Sequence, residues 1–424
     1  MHFSLELEQR RQYIQLQETT QVQVLRAHDK LDQVIELIRS LYLPLRHGPE
    51  GLRQDSDENM FNGLERLARF KALSITVAGG DLSCENGIAA QVGVRVPLLD
   101  GLKLAVSQLK FLGNQEENDS QRVLGTFDAT SVWIEWKNYD PESTTLACRF
   151  IENRIARLTA LLLKNPENPE RLQLPASLGY VHDPDSTRFG LVFESPVSTD
   201  TLGSRSLYAR LQTTLKPSLT TRLDIARRLT TSLKYLHVSR WLHKGLRSDN
   251  ILFLTPSYTS WTPFCLSGFD YSRPADPDEA TELPTDRREH DLYRHPDVQF
   301  DVPRDGEYGY EEKHDVYSLG VILMEIGLWQ PIHQFLGLSL NQLIPRPAIR
   351  RARISLLKAE SLTILESEAG ARFSEAVRLC LAGDIRQPPG EIRSPGMAEE
   401  IDHPAFDSID CLRKVEEILQ GITV

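Results

Sequence analysis

The sequence predicts an α+β chain in which a small antiparallel sheet precedes a larger helical body, and two observations predict it. Three apolar runs, LKLAVSQLKFL, QRVLGTF and SVWIEWK, follow one another closely and carry the β-branched and aromatic residues that favour adjacent strands. From Leu202 onward the apolar period becomes helical, in TRLDIARRLTTSLKYLH, DVYSLGVILMEIGLW and SEAVRLCLAG. Strands first and helices later segregate the two kinds of element, so the chain should form two unequal lobes rather than a βαβ array.

Taken in order, residues 5–43 contain neither Pro nor Gly, and Leu25, Leu31, Val34, Ile35, Ile38 and Leu41 recur at helical spacing. This predicts a long amphipathic helix ending before Pro44, which either packs on the body or binds a partner. The stretch LRHGPEGLRQDSDEN then reads as a linker; within residues 61–101, GLERLARFKALSITVAG suggests a helix running into a strand, and the remainder has no period that assigns it. A helix is expected over residues 147–163 and a further strand at FGLVFESP. The Pro- and charge-rich residues 273–294 read as a loop. The expected divisions are therefore an N-terminal helix at 1–45, a linker with an unassigned segment at 46–103, a strand-rich lobe at 104–196 and a helical lobe at 197–424.

The formal net charge of -11 disfavours general binding to nucleic acid or anionic lipid, which requires an excess of Lys and Arg. Five separated cysteines with no C-x-x-C spacing support neither a zinc site nor a disulfide framework. The polar N-terminus and the absence of a long apolar run place the chain in the cytoplasm, with protein partners expected through the N-terminal helix or the helical lobe.

The segment YLHVSRWLHKGLRSDNILFL resembles the catalytic loop of protein kinases, H-R-D-L-x-x-x-N, with His243, Leu246 and Asn250 in the matching positions. LSGFDYSRP stands where the family has D-F-G, YRHPD where it has A-P-E, and HDVYSLGVILMEIGLW resembles the helix that anchors the lower lobe. WIEWK is similar to the strand motif V-A-I-K, and CLAGDIRQP to the region holding a structural arginine. Across residues 104–419 the order and spacing of these motifs imply a bilobal protein-kinase-like fold. The resemblance implies that Lys137 pairs the phosphates of ATP and forms an ion pair with Glu152 of FIENRIARL; alone, both would read as solvated charges. It implies structural roles for His243, Phe269 and Asp315, the last as a cap for catalytic-loop amides, and an Asp297–Arg386 pair.

Phosphoryl transfer needs a carboxylate near the substrate hydroxyl, and a carboxylate with an amide to hold magnesium on the phosphates. Gly245 replaces the first carboxylate and Gly268 the metal ligand, which leaves Asn250 alone at the metal site. Asp270, two residues on, faces the same way in an extended segment but lies roughly 6–7 Å along the chain, too far without rearrangement. Where a glycine array should cover phosphates stands LGNQEENDSQRVLG, and its Glu116, Glu117 and Asp119 oppose an anion.

The resemblance thus points to a pseudokinase acting as a signalling switch or scaffold, with no metal and with ATP, if it binds, bound without magnesium. G-F-D together with a helical appendage is similar to mixed-lineage kinase domain-like pseudokinases and to fungal HeLo-associated pseudokinases, in which preceding helices relay cell death or self/non-self responses. An atypical active kinase acting on Ser, Thr or Tyr is the alternative, and a nucleotide-independent binding module is a third reading. Tyr271, Ser272, Thr281, Thr285 and Tyr293 are candidate hydroxyls for modification, with Arg287, Arg288 and Arg294 close in sequence to pair a phosphate.

Overall fold

A computed structural model describes residues 99–111, 122–142, 145–163, 173–195, 206–213, 215–253, 255, 260–275, 287–300, 309–383 and 406–423. The proposed N-terminal helix, the linker, the acidic residues 116, 117 and 119, Thr281, Thr285 and Arg386 lie outside them.

The chain is a mixed α/β structure. Five antiparallel strands form one sheet in the order β1-β2-β3-β5-β4: β1 (Leu109–Phe111), β2 (Arg122–Phe127), β3 (Thr130–Asn138), β4 (Ser177–Asp183) and β5 (Arg188–Glu194). Helix α1 (Thr145–Leu162) joins β3 to β4. Alternation along β3 divides the sheet into two faces. Val132, Ile134 and Trp136 pack with Leu109, Val181 and Val192 in a small cluster, whereas Trp133 enters the main core on the opposite face. Glu135 and Lys137 share that second face, which brings two ionisable groups into a buried layer. Strand β4 and part of the first expected strand depart from the sequence reading. β4 carries a bulge beside Gly179 that interrupts its alternation, and in the first run only Leu109–Phe111 pairs, the preceding Val106–Gln108 forming a 3-10 turn.

The helical half begins with α2 (Leu207–Thr213) and α3 (Leu219–Val238), the latter capped by Ser218, whose Oγ accepts from the Thr221 amide at 3.2 Å. Short antiparallel two-stranded pairs follow, β6 (Trp241–Leu242) with β9 (Arg273–Pro274) and β7 (Ile251–Phe253) with β8 (Phe264–Leu266). They fold the two segments that carry the motif residues against each other. Helix α4 (Glu312–Leu328) is apolar around nearly its whole circumference and is buried accordingly. Around it stand α5 (Ile332–Phe335), α6 (Arg346–Leu356), α7 (Ala359–Ala369), α8 (Ala371–Ala382) and α9 (Ser408–Gln420). The last is tied to α3 by a buried Lys234–Glu416 ion pair, by Thr231 donating to Glu416 at 2.6 Å, and by Arg227, which caps the carbonyls of Leu419 and Ile422 at 2.8 Å. Among the described residues no helix is long and apolar enough to cross a membrane.

Candidate functional site

The motif residues meet where β2 and β3 face the loop running from His243 to Asn250 and the turn Gly268-Phe269-Asp270. Glu135 organises the contact. Its carboxylate accepts the Gly268 amide at 2.9 Å, the Phe269 amide at 3.3 Å and the Ser267 hydroxyl. Arg122, directly opposite on β2, approaches it at 3.3 Å. Burial alone would raise the Glu135 pKa, but the Arg122 charge and these three hydrogen bonds together hold it below the usual carboxylate range. An ionised carboxylate therefore sits inside the protein, clamped on the turn.

Arg122 crosses from the sheet to the helical half. Its guanidinium donates to the Asp249 carbonyl at 2.9 Å, to Ser267 Oγ at 2.8 Å and to the side-chain oxygen of Asn250. The Asn250 amide nitrogen in turn donates to the Gly245 carbonyl at 2.6 Å. Both ends of the Asn250 side chain are thus committed within the protein. The positive charge at this point is a guanidinium.

The two glycines stand within this network. Gly268 adopts a φ of +83°, and a Cβ there would run into the Asn250 side chain. A Cβ on Gly245 would come within 2.5 Å of the Gly268 carbonyl oxygen. Lys137 donates to the Asp270 carbonyl at 2.8 Å and lies over the Tyr271 ring at 4.3 Å, so its ammonium rests on the turn itself. The Asp270 carboxyl is pushed up by burial, against the opposing pull of Lys137 and Arg247.

Glu152 is elsewhere engaged. It takes the Lys103 ammonium at 2.6 Å and the Tyr180 hydroxyl at 3.2 Å, so the Lys137–Glu152 ion pair is not formed. The reason is local: α1 packs against the segment just before β1, which offers Lys103, while Lys137 is drawn to the 268–270 turn.

Behind the loop, Asp315 accepts the amides of His243 at 2.7 Å and Lys244 at 2.9 Å and the Tyr310 hydroxyl at 2.8 Å, acting as a cap. His243 lies 4.6 Å from Phe269, ring to ring, and burial holds its pKa down to about 4 despite the nearby Asp315 and Glu135 charges. The imidazole is therefore a neutral packing group at physiological pH.

Asp297 pairs with His295 at 3.3 Å, and His314 stands near it at 4.0 Å. These three donors are close enough to surround an ion, yet both rings accept backbone amides at Nδ1, from Asp297 at 3.3 Å and from Glu311 at 2.9 Å.

Two of the hydroxyls considered for modification are interior. Ser272 donates to the Leu242 carbonyl at 2.7 Å, and Tyr293 Oη lies between Ser248 at 2.8 Å and Glu325 at 2.6 Å. Both side chains are buried, so neither is accessible to a modifying enzyme in this fold. Glu325 is raised to about 8, chiefly by burial, although Tyr293 and the Ile332 amide lower it. Because an acid whose folded pKa exceeds its unfolded value must take up a proton to fold, stability falls as pH rises from about 4.3 toward 8. Glu325→Gln, which keeps the Oε1 acceptor, is expected to flatten that fall and to raise the melting temperature at pH 8, as a thermal-melt series over pH would show. An unchanged pH slope would mean that Glu325 is ionised in the native state.

Sequence reasoning missed Arg122 and Glu135. The available signal was the period of two: in WIEWK, Glu135 lies on the same strand face as Trp133, and an acid on a buried face demands a cation and donors. The chain matches no family model, and no curated protein matches it.

Proposed function

We propose that the chain is a pseudokinase, a protein-kinase-like body that signals or scaffolds through its shape and does not transfer phosphate. The reading is supported by a five-stranded antiparallel sheet followed by a helical half, and by the motif order carried on it. The observation that carries the loss of chemistry is Arg122: its guanidinium holds Asn250 and stands beside Gly268, where a magnesium-binding kinase would need a vacant carboxylate. A fixed internal cation bound to Glu135 removes both the place and the need for a metal there.

With Lys137 resting on the 268–270 turn, the charges that would orient a triphosphate serve instead to join sheet and turn. The output is then conformational, and partner binding falls to the N-terminal segment 1–45 or to the helical half. A role in a cell-death or self/non-self pathway rests on the likeness of G-F-D, and of the helix expected from the sequence of residues 1–45, to the pseudokinases named above.

The test is a thermal-shift titration with ATP, with and without magnesium or manganese, followed by assay for labelled phosphate on the protein. The melting temperature is expected to stay within about 1 °C of the ligand-free value, because a ligand stabilises only what it binds. A metal-dependent rise of several degrees with labelled protein would overturn the proposal in favour of an atypical kinase.

A further inference from the structure

We infer that the solvent face of α6 is a docking surface for an acidic peptide segment of a protein partner, one that carries an apolar anchor residue. The helix reads RPAIRRARISL, and its buried residues are Ile349, Ala352 and Leu356. At 100° per residue these three define one arc, and Arg346, Arg350, Ile354 and Arg351 fall together on the other. All four are exposed, Ile354 to 40%. The turn leading into the helix adds Leu343, 71% exposed, and Leu340. Residues 339–358 contain Arg346, Arg350, Arg351, Arg353 and Lys358 and no Asp or Glu, in a chain whose net charge is -11. A basic face this concentrated runs against the composition of the molecule around it.

The arginines differ in what they do. Arg353 turns inward and donates to the Leu381 carbonyl at 3.0 Å and the Ala382 carbonyl at 2.6 Å, so it holds α6 to α8. Arg346 and Arg350 lie over the Phe300 ring at 5.0 and 5.6 Å. Stacking limits the rotamers of those two guanidinium groups before any partner arrives, which lowers the ordering cost of binding. Arg288 donates to the Ile344 carbonyl at 3.1 Å, which joins the Arg-containing end of the 287–294 segment to the start of the helix.

Planar guanidinium groups held in place match carboxylates in two-point contacts, and the exposed leucine and isoleucine beside them match an apolar side chain. A lipid surface is the weaker fit. The apolar residues here are three, on and beside an eleven-residue helix, and a charged face without a broad apolar one gives little insertion.

The experiment titrates the full chain into a fluorescein-labelled peptide of alternating Glu and Asp with two leucines one helical turn apart, read by anisotropy. Saturable binding is expected at low salt, weakening as salt shortens the reach of the charges. The Arg346→Glu, Arg350→Glu, Arg351→Glu triple variant should lose at least about tenfold in affinity; because it also loses the stacking of Arg346 and Arg350 on Phe300, it is compared with the native chain well below the melting temperature of either. Leu343→Ser should lose several-fold. Arg413→Glu on α9, a partly buried arginine distant in sequence and paired with Asp410 and Glu417 of its own helix, should bind like the native chain. Equal loss in Arg413→Glu, no effect of Leu343→Ser, or no binding of the peptide overturns the inference. Binding to phosphatidylserine vesicles with the same arginine dependence, and none to the peptide, overturns it in favour of a lipid surface.

Discussion

Replacing Glu135 with alanine should destabilise the fold by about 3–5 kcal/mol, the range found when one partner of a buried ion pair is removed. The carboxylate accepts from the Gly268 and Phe269 amides and from Ser267, and it faces Arg122, so alanine leaves several buried donors without this acceptor and removes the charge that opposes the guanidinium. The Arg122 side chain is 25% exposed, and water can reach it, which argues for the lower part of that range. Glu135→Gln keeps one acceptor oxygen and should cost less, about 1–3 kcal/mol. Chemical denaturation measures both. The pH dependence supplies an independent check. The folded pKa of Glu135 lies below its unfolded value of about 4.3, so its contribution is complete above that pH and is lost as pH falls through the folded value. The native chain should therefore lose stability below about pH 4 more steeply than the glutamine variant. An alanine variant as stable as the native chain would show that the clamp contributes nothing to holding sheet and turn together.

The parts of this arrangement that were legible in the sequence are those set by local chemistry. Long helices, with an apolar stripe in α3 and a nearly all-round apolar surface in α4, and strands rich in aromatic and β-branched residues, such as β3, are specified by composition and period within their own length. Strand β4 is not, because Gly179 and the bulge beside it break the alternation, and its pairing with β5 supplies what the local pattern lacks. α6 lacks a conspicuous apolar stripe since three small or aliphatic residues suffice to seat it among arginines. At the candidate site, the glycines at 245 and 268 were readable as identities. Their steric setting was not, since it depends on where Asn250 and the Gly268 carbonyl lie in space. The choice of partner for Glu152 was hidden for the same reason. Lys103 and Lys137 are equally plausible cations in a sequence, and only the packing of α1 decides that Lys103 reaches it.

Placing carboxylates at the two glycines by Gly245→Asp and Gly268→Asp should yield no phosphate transfer and should destabilise the protein. At position 268 the backbone is left-handed, which costs a side-chain-bearing residue about 1–2 kcal/mol, and the new Cβ would displace the Asn250 side chain at a further cost of about 1–3 kcal/mol. The added carboxylate would also stand beside ionised Glu135, whose acceptor bonds to the same turn already define the local charge. At position 245 the obstacle is a backbone carbonyl 2.5 Å from the Cβ, which cannot rotate away as a side chain can. The double variant is expected to melt several degrees below the native chain, by about 4–8 °C for each kcal/mol in a small domain and less in a larger one, and to yield no labelled phosphate with ATP and magnesium. Glycine at these two positions is then what the Arg122–Glu135 clamp and the packing around it require. Once a guanidinium holds Asn250, a restored aspartate meets an occupied site, and a metal must displace an internal cation that binds four protein groups. Turnover in the double variant, with magnesium raising its melting temperature, would mean that the turn rearranges freely and that the clamp does not govern the site.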